Sequence, residues 1–525
     1  MLKKLSYIII FIFLFMNFTN IKAESNNQSI KKIISIVYDD SGSMDNKDED
    51  WAYASYSIQN LIGLINNGDE LNVVKMSKPT TSITFDISNS QSRINAINET
   101  KNWRAKGNTP FTAVETAVDW LKNKKQEYRN SNATSYYLII ITDGEFGTNY
   151  PSNMNSYLND LKTTMANSKY EGIFVAIGNN VPNYTKKDWT SIKENYLIES
   201  SNSNDIINAM FKTSGLILGQ GNKNTELDIT TKDNSISFNS YFPLKKFIIY
   251  EQNQNINIKN ITLNEIEASI TNDFNTTYPG NKNITSRIIH IEEKNSNYIP
   301  PGKIAIDFDS KIDISNNKLK ILVEPAVNVE LKALDKSGKI IDNLNNYSFK
   351  ENELVDFIAY VTSSIDNSKI DLTNWADILE GELIINNKTT KLTYNKKDNT
   401  FYGTATISAY NNLTYATINL PGYFRTKSNI INIYSKDIID NISSNISKGT
   451  VNIPYKYIDN YEEIETFKYT VTGDTLHGIC EFEFKNIPKG ITISVNGVYV
   501  DKHGIAKTII HTNNPVDIKI YRNKD

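Results

Sequence analysis

Cys480 is the only cysteine in 525 residues, so no disulfide can close within the chain. Stability must come from packed cores and, where a site exists, from bound metal. Histidine is almost as scarce. His290, His477, His503 and His511 are the full set, and none lies in the first 218 residues. His477 and Cys480 are close in sequence, but no orienting acid can be named and the setting is strand-like, so they do not read as a catalytic pair. Beyond the amino terminus no apolar run is long enough to span a bilayer. Basic excess is missing too: 56 Lys and Arg against 59 Asp and Glu leave a net charge of -3, which invites no nucleic acid. His-Glu-x-x-His, Gly-x-x-x-x-Gly-Lys and Gly-x-Ser-x-Gly do not occur, so three common catalytic or phosphate-binding devices are excluded.

What is present is ordinary globular composition, 39% hydrophobic and 22% charged, in a chain long enough for about three or four domains. The first residues have the form of a secretory signal. Lys3 and Lys4 give a positive start, Tyr7 to Phe18 is apolar except for Asn17, and Ile21-Lys22-Ala23 offers cleavage before Glu24. The expectation is a signal peptide over 1–23 and an exported protein.

From 31 to 218 strands alternate with helices, which predicts an α/β doubly wound parallel sheet. The first strand ends at Tyr38. A helix from near Trp51 turns Tyr53, Tyr56, Ile58, Leu61, Ile62 and Ile65 inward. Strands follow at 71–76 and 82–87, a helix at 111–121, a strand at 136–142, a helix at 154–165, strands at 172–178 and 195–199, and a closing helix at 205–218. After Gly219-Gln220-Gly221 helical periodicity stops. Short alternating runs predict a β domain over 222–325, an Ig-like β-sandwich over 326–436, a Ser/Asn-rich linker over 437–450 and a C-terminal β domain over 451–525. One strand is expected at 261–270, and a hairpin of 491–500 with 505–510.

The organising stretch runs from Ile33 to Met44. An apolar, β-branched run stops at Asp39-x-Ser41-x-Ser43, as a buried parallel strand does when it delivers oxygen donors to the rim of a sheet. Only a loop leaving the strand end lets these donors converge, and small oxygen donors suit a hard divalent cation. The same spacing recurs at Asp86-Ser88-Ser90 and Asp233-Ser235-Ser237, where turn residues in an Asn- and Ser-rich chain account for it. Two further donors stand at positions that suit the first copy. Thr109 lies in Gly107-Asn108-Thr109-Pro110, with the proline favoured at a helix start. Asp143 ends the apolar run Leu138-Ile139-Ile140-Ile141-Thr142. Asp40, Glu145, Asp45, Asp48 and Asp50 read as solvated loop acids.

At these residues the chain resembles the von Willebrand factor type A domain family over about 31–218. The resemblance implies an open, mostly parallel sheet between helices and a metal-ion-dependent adhesion site. By that resemblance Ser41, Ser43 and Thr109 would ligate Mg²⁺ or Mn²⁺ through their hydroxyls, and Asp39 and Asp143 would act mostly through bound water. Neutral hydroxyl ligands leave the cation's charge uncompensated, so it can draw a carboxylate from a partner. The expected function is an exported, non-enzymatic protein-binding protein that captures an acidic residue. A structural or assembly subunit of a secreted or envelope complex is the alternative. A metal-dependent hydrolase is the third reading, and no general base is evident for it.

Overall fold

The computed structural model describes most of residues 31–435 and 463–522. The longest stretches outside the described residues are 1–30, 147–164 and 436–462. The expected signal peptide, most of the expected helix at 154–165 and the expected linker lie there, and Asp48 and Glu145 also lie outside the described residues.

The amino-terminal stretch is α/β with parallel strands. In chain order it comprises β1 (Lys31–Tyr38), α1 (Asp50–Leu64), β2 (Glu70–Lys75), β3 (Ser82–Phe85), α2 (Ser90–Lys101), α3 (Thr112–Glu127), β4 (Thr134–Thr142), β5 (Lys169–Ile177), α4 (Asn183–Thr190), β6 (Asn195–Ser200) and α5 (Ser203–Ile217). Antiparallel sheets follow. Among the described residues no helix is long and apolar enough to cross a membrane.

The chain is shared between two compact units. One holds the residues up to Ile141 with Thr230–Val327 and Thr362–Lys369; the other holds Thr142–Ile229, Asn328–Val361 and Ile370 onward.

In the first unit β1 is the centre. It runs parallel to β2 on one side, Tyr38 opposite Lys75, and to β4 on the other, Tyr38 opposite Ile141. Both of its faces are covered, which is why it is a continuous apolar run rather than an alternating one. β3 closes the edge antiparallel to β2. The sequence reading missed α2. Its start carries a capping box, with the Asn89 side-chain carbonyl accepting from the Ser92 amide at 2.9 Å. The Asp86 copy of the spacing is a local turn: Asp86 accepts from the Ser88 amide, exposed to solvent.

The same unit contains an antiparallel sheet built from β7 (Thr230–Lys232), β8 (Ser235–Ser240), β9 (Leu244–Gln252), β10 (Ile258–Leu263), β11 (Ile266–Thr277), β12 (Thr285–Glu293), β13 (Gly302–Phe308) and β14 (Leu319–Pro325). Its order is β14-β9-β12-β11-β10-β13-β8-β7. The single strand expected at 261–270 is two, reversing so that Leu263 faces Ile266. The Asp233 copy is the β7–β8 turn, with Asp233 at φ 52.

Helix α1 lies against this sheet. Every residue from Ala52 to Leu64 is buried, including Ser55, Ser57, Gln59 and Asn60. A helix with an inward face only would leave those polar residues wet. Here the second face meets β9, β11 and β12. Asn60 accepts from the Thr276 hydroxyl at 2.6 Å, Gln59 accepts from the Thr277 amide at 3.1 Å, and the Tyr56 and Tyr250 hydroxyls meet at 3.1 Å. His290 is a packing residue. Its ring nitrogens contact the Gly63 carbonyl at 2.7 Å and Lys246 Nζ at 3.0 Å, and burial above all holds the imidazole neutral.

In the second unit β5 and β6 are parallel, Ile177 opposite Ser200. Arg425 joins them to a larger antiparallel sheet. Its guanidinium bonds Glu171 at 2.5 Å and lies over the Tyr196 ring at 5.3 Å. That sheet includes Lys388–Asn395, a strand between turns at Asn386 and Asn399, both at positive φ, where the sequence reads as hairpin turns. Toward the carboxyl end the expected hairpin does not form. Asn496 and Gly497 both take positive φ and turn Ile491–Val495 back onto Val498–Tyr499, while Ile505–His511 pairs with His477–Glu483.

Candidate metal centre

The site begins where β1 stops. The Asp39 amide makes the last ladder bond, to the Ile141 carbonyl at 3.0 Å, and the chain then leaves the sheet. The Asp39 carboxylate is fully buried and accepts from the Ser41 amide at 2.9 Å, which bends the backbone toward itself. A short 3₁₀ turn over Gly42–Met44 follows, anchored by buried Met44. The turn brings the Ser41 and Ser43 hydroxyl oxygens to 2.9 Å from each other, with Ser41 buried and Ser43 exposed.

A second loop is tied to the first. The Gly42 amide donates to the Gly107 carbonyl at 3.0 Å, and the Lys106 amide donates to the Asp40 carbonyl. This holds the Gly107-Asn108-Thr109-Pro110 turn beside the serines, with Thr109 half-buried ahead of α3. Gly107 has a physical reason to be glycine. Its φ is +106°, and a Cβ there would come within 3.1 Å of the Ser77 Cβ.

Asp40 corrects the reading of a solvated loop acid. It is 1% exposed and accepts from the Ser77 amide at 2.7 Å and the Ser77 hydroxyl at 2.5 Å. Lys75 Nζ stands 3.0 Å away. The carboxylate therefore clamps the loop to the end of β2, and Lys75 balances its charge. The Tyr38 phenol beneath is held well above its ordinary value, first by burial and then by the Asp40 and Asp39 carboxylates.

Asp143 follows the end of β4 and is 1% exposed. It comes after Thr142, the first residue of the second unit, and the Gly144 amide donates to the Thr142 hydroxyl at 3.2 Å. The structure thus gathers Asp39, Ser41, Ser43 and the Thr109 turn in one unit and places Asp143 as the second residue of the other. Among the described residues no three of His, Cys, Asp and Glu cluster as a metal site. The donor set is instead rich in hydroxyls, the neutral oxygen chemistry that a small hard cation accepts. Neighbouring oxygens around Mg²⁺ at about 2.0–2.1 Å in an octahedron stand about 2.9 Å apart. The Ser41 and Ser43 hydroxyls, hydrogen-bonded to each other, stand at a separation of that size.

Residues 34–145 match the family model for the von Willebrand factor type A domain. This stretch is a von Willebrand factor type A domain. The A domain thus includes β1, α1 and both loops of the site. A search of curated proteins finds no match to the chain. Among solved structures, the chain is similar to a von Willebrand factor type A protein from Catenulispora acidiphila, at 12% identity and a TM-score of 0.30, over 65% of this chain and 66% of that one. It is also similar to the pilus adhesin SpaC from Lactobacillus rhamnosus GG in its open conformation, at 11% identity and a TM-score of 0.30, over 95% of this chain and 64% of that one. A third is the manganese-loaded TRAP protein of Plasmodium vivax, at 17% identity and a TM-score of 0.25, over 40% of this chain and 86% of that one. In the first two the chain spans about two thirds of the other protein's length.

Proposed function

We propose that this chain is an exported, non-enzymatic, adhesion-type protein whose A domain uses Mg²⁺ or Mn²⁺ to grip an acidic side chain of a partner protein. Asp39, Ser41, Ser43 and Thr109 would hold the ion, and Asp143 completes the set that the sequence pattern nominates. The observation that carries the reading is the hydroxyl pair of Ser41 and Ser43 at 2.9 Å, set beside the buried Asp39 carboxylate. When bound, the cation supplies a positive centre with an exchangeable coordination place for a carboxylate. The chain's own part is to keep that centre electron-poor. Asp40 does not add uncompensated charge, because Lys75 neutralises it. Hydroxyls and the one carboxylate of Asp39 would then supply the first unit's share of the ion's surroundings. The A-domain match supports protein binding at the level of the family.

Calorimetric titration of the whole chain with Mn²⁺ tests this. Ser43 is exposed, so Ser43→Ala leaves the fold intact. Wild-type protein should bind one ion saturably, and the variant about tenfold or more weakly. Absence of saturable binding by the wild type, or equal binding by the variant, refutes the reading. Partner capture that persists in EDTA would remove the cation from recognition.

A further inference from the structure

We infer that the turn between β11 and β12 is a positioning element for the metal loop, acting through Glu49, so that the β sheet of the first unit and the cation site are coupled. The coupling presupposes the cation site proposed above.

Glu49 lies six positions after Ser43 and caps α1 in the left-handed conformation, φ 57° and ψ 43°. A non-glycine residue there is uncommon and needs support from its surroundings. The Glu49 side chain makes no capping bond to its own helix. It reaches out to the 278–284 turn instead. The Asn281 amide donates to its two oxygens at 3.1 and 3.0 Å, the Asn281 side-chain amide at 2.6 Å, and the Tyr278 hydroxyl at 3.1 Å. The turn is shaped to receive it. A Cβ on Gly280 would sit 2.6 Å from the Glu49 carboxylate, 2.5 Å from the Tyr278 ring and 3.0 Å from the Ala52 Cβ. One turn along α1, Tyr53 packs on Tyr278 with ring centroids 4.7 Å apart, and Lys282 lies over the Tyr53 ring at 4.8 Å.

The residue that starts α1 is therefore held from outside the A domain. The metal loop is fixed at its other side by Asp40 and by Gly42 on Gly107. A shift of the 278–284 turn moves the start of α1, and the Ser41–Ser43 hydroxyls follow. By linkage, cation binding must bias the turn by the same factor.

The test uses whole-chain variants in the turn, far in sequence from every proposed ligand. Asn281→Ala and Tyr278→Phe each remove donors to Glu49. Asn281 is exposed, and Tyr278→Phe keeps the packed ring, so both variants fold. Thr276→Val, which removes the bond to Asn60 further along α1, serves as the structural control. Mn²⁺ affinity should fall about fivefold or more in Asn281→Ala and stay unchanged in Thr276→Val. Amide exchange of Gly42, Met44 and Asp45 in metal-free protein should quicken in Asn281→Ala. Wild-type Mn²⁺ binding with an unchanged affinity and unchanged amide exchange in both turn variants overturns the coupling while leaving the cation site standing. Failure of the wild type to bind Mn²⁺ overturns both.

Discussion

Glu251 is the residue at which the first unit should show its pH sensitivity. It sits on β9 and is completely buried, and among the described residues neither carboxylate oxygen has a hydrogen-bond partner. Arg287 on β12 stands 3.6 Å away, but its fork is committed to Asp273 on β11 at 2.9 and 2.7 Å. Burial therefore dominates. It pushes the Glu251 carboxyl up to about 7, Arg287 opposing and Asp273 and Asp309 adding to the rise. The sign follows from linkage. The unfolded chain releases this proton near 4.5 and the folded chain keeps it to about 7, so stability falls as pH rises through that window and is flat above it. Two and a half decades at about 1.4 kcal/mol each set a ceiling of about 3.5 kcal/mol. Screening through partly exposed Arg287 brings the expected loss to about 2 kcal/mol. Glu251→Gln cannot ionise, so it should be more stable than wild type by about 2 kcal/mol at pH 8 and by well under 1 kcal/mol at pH 5. Urea unfolding at both pH values reads the difference. An equal effect at pH 5 and pH 8, or none at pH 8, refutes the assignment of the titrating group.

A second buried carboxylate should behave in the opposite way. Glu324 bonds Lys32 Nζ at 2.8 Å and the Asn66 side-chain amide at 3.1 and 2.9 Å, and the Lys32, Lys245 and Lys246 charges hold it far below the ordinary range despite burial. Its stabilisation is present above about pH 4.5 and is lost as pH falls below that. Glu324→Gln leaves Lys32 with only the more distant Asp69 carboxylate, at 4.0 Å, and should cost about 3 kcal/mol in urea unfolding at pH 7, while Lys32→Met with Glu324→Leu should recover most of it. Gly107→Ala forces a side chain into positive φ against Ser77 and should cost about 1–2 kcal/mol in the same assay.

The parallel strand, its abrupt end and the donors at 39, 41, 43 and 109 are legible in the sequence because each is local. An apolar run reports burial on both faces, and Gly107-Asn108-Thr109-Pro110 reports a turn before a helix. Asp40 is not legible. Its partners Ser77 and Lys75 lie at and just past the end of a neighbouring strand, and nothing beside Asp40 in the chain announces them. The double burial of α1 is hidden for the same reason: the donors that satisfy Gln59 and Asn60 come from residues over two hundred positions away. Helix α2 carries few apolar residues, and only the Asn89–Ser92 box marks it.

Because α1 is enclosed on every side, the A domain is a poor candidate for excision. A cut near residue 218 would strip β9, β11 and β12 from Tyr56, Gln59, Asn60 and Gly63 and leave that side of the helix bare to water. Such a fragment would be prone to clump or to lose its shape, and a weak ion affinity measured on it would describe the truncation. Anyone dissecting this protein should keep residues 31–327 on one polypeptide.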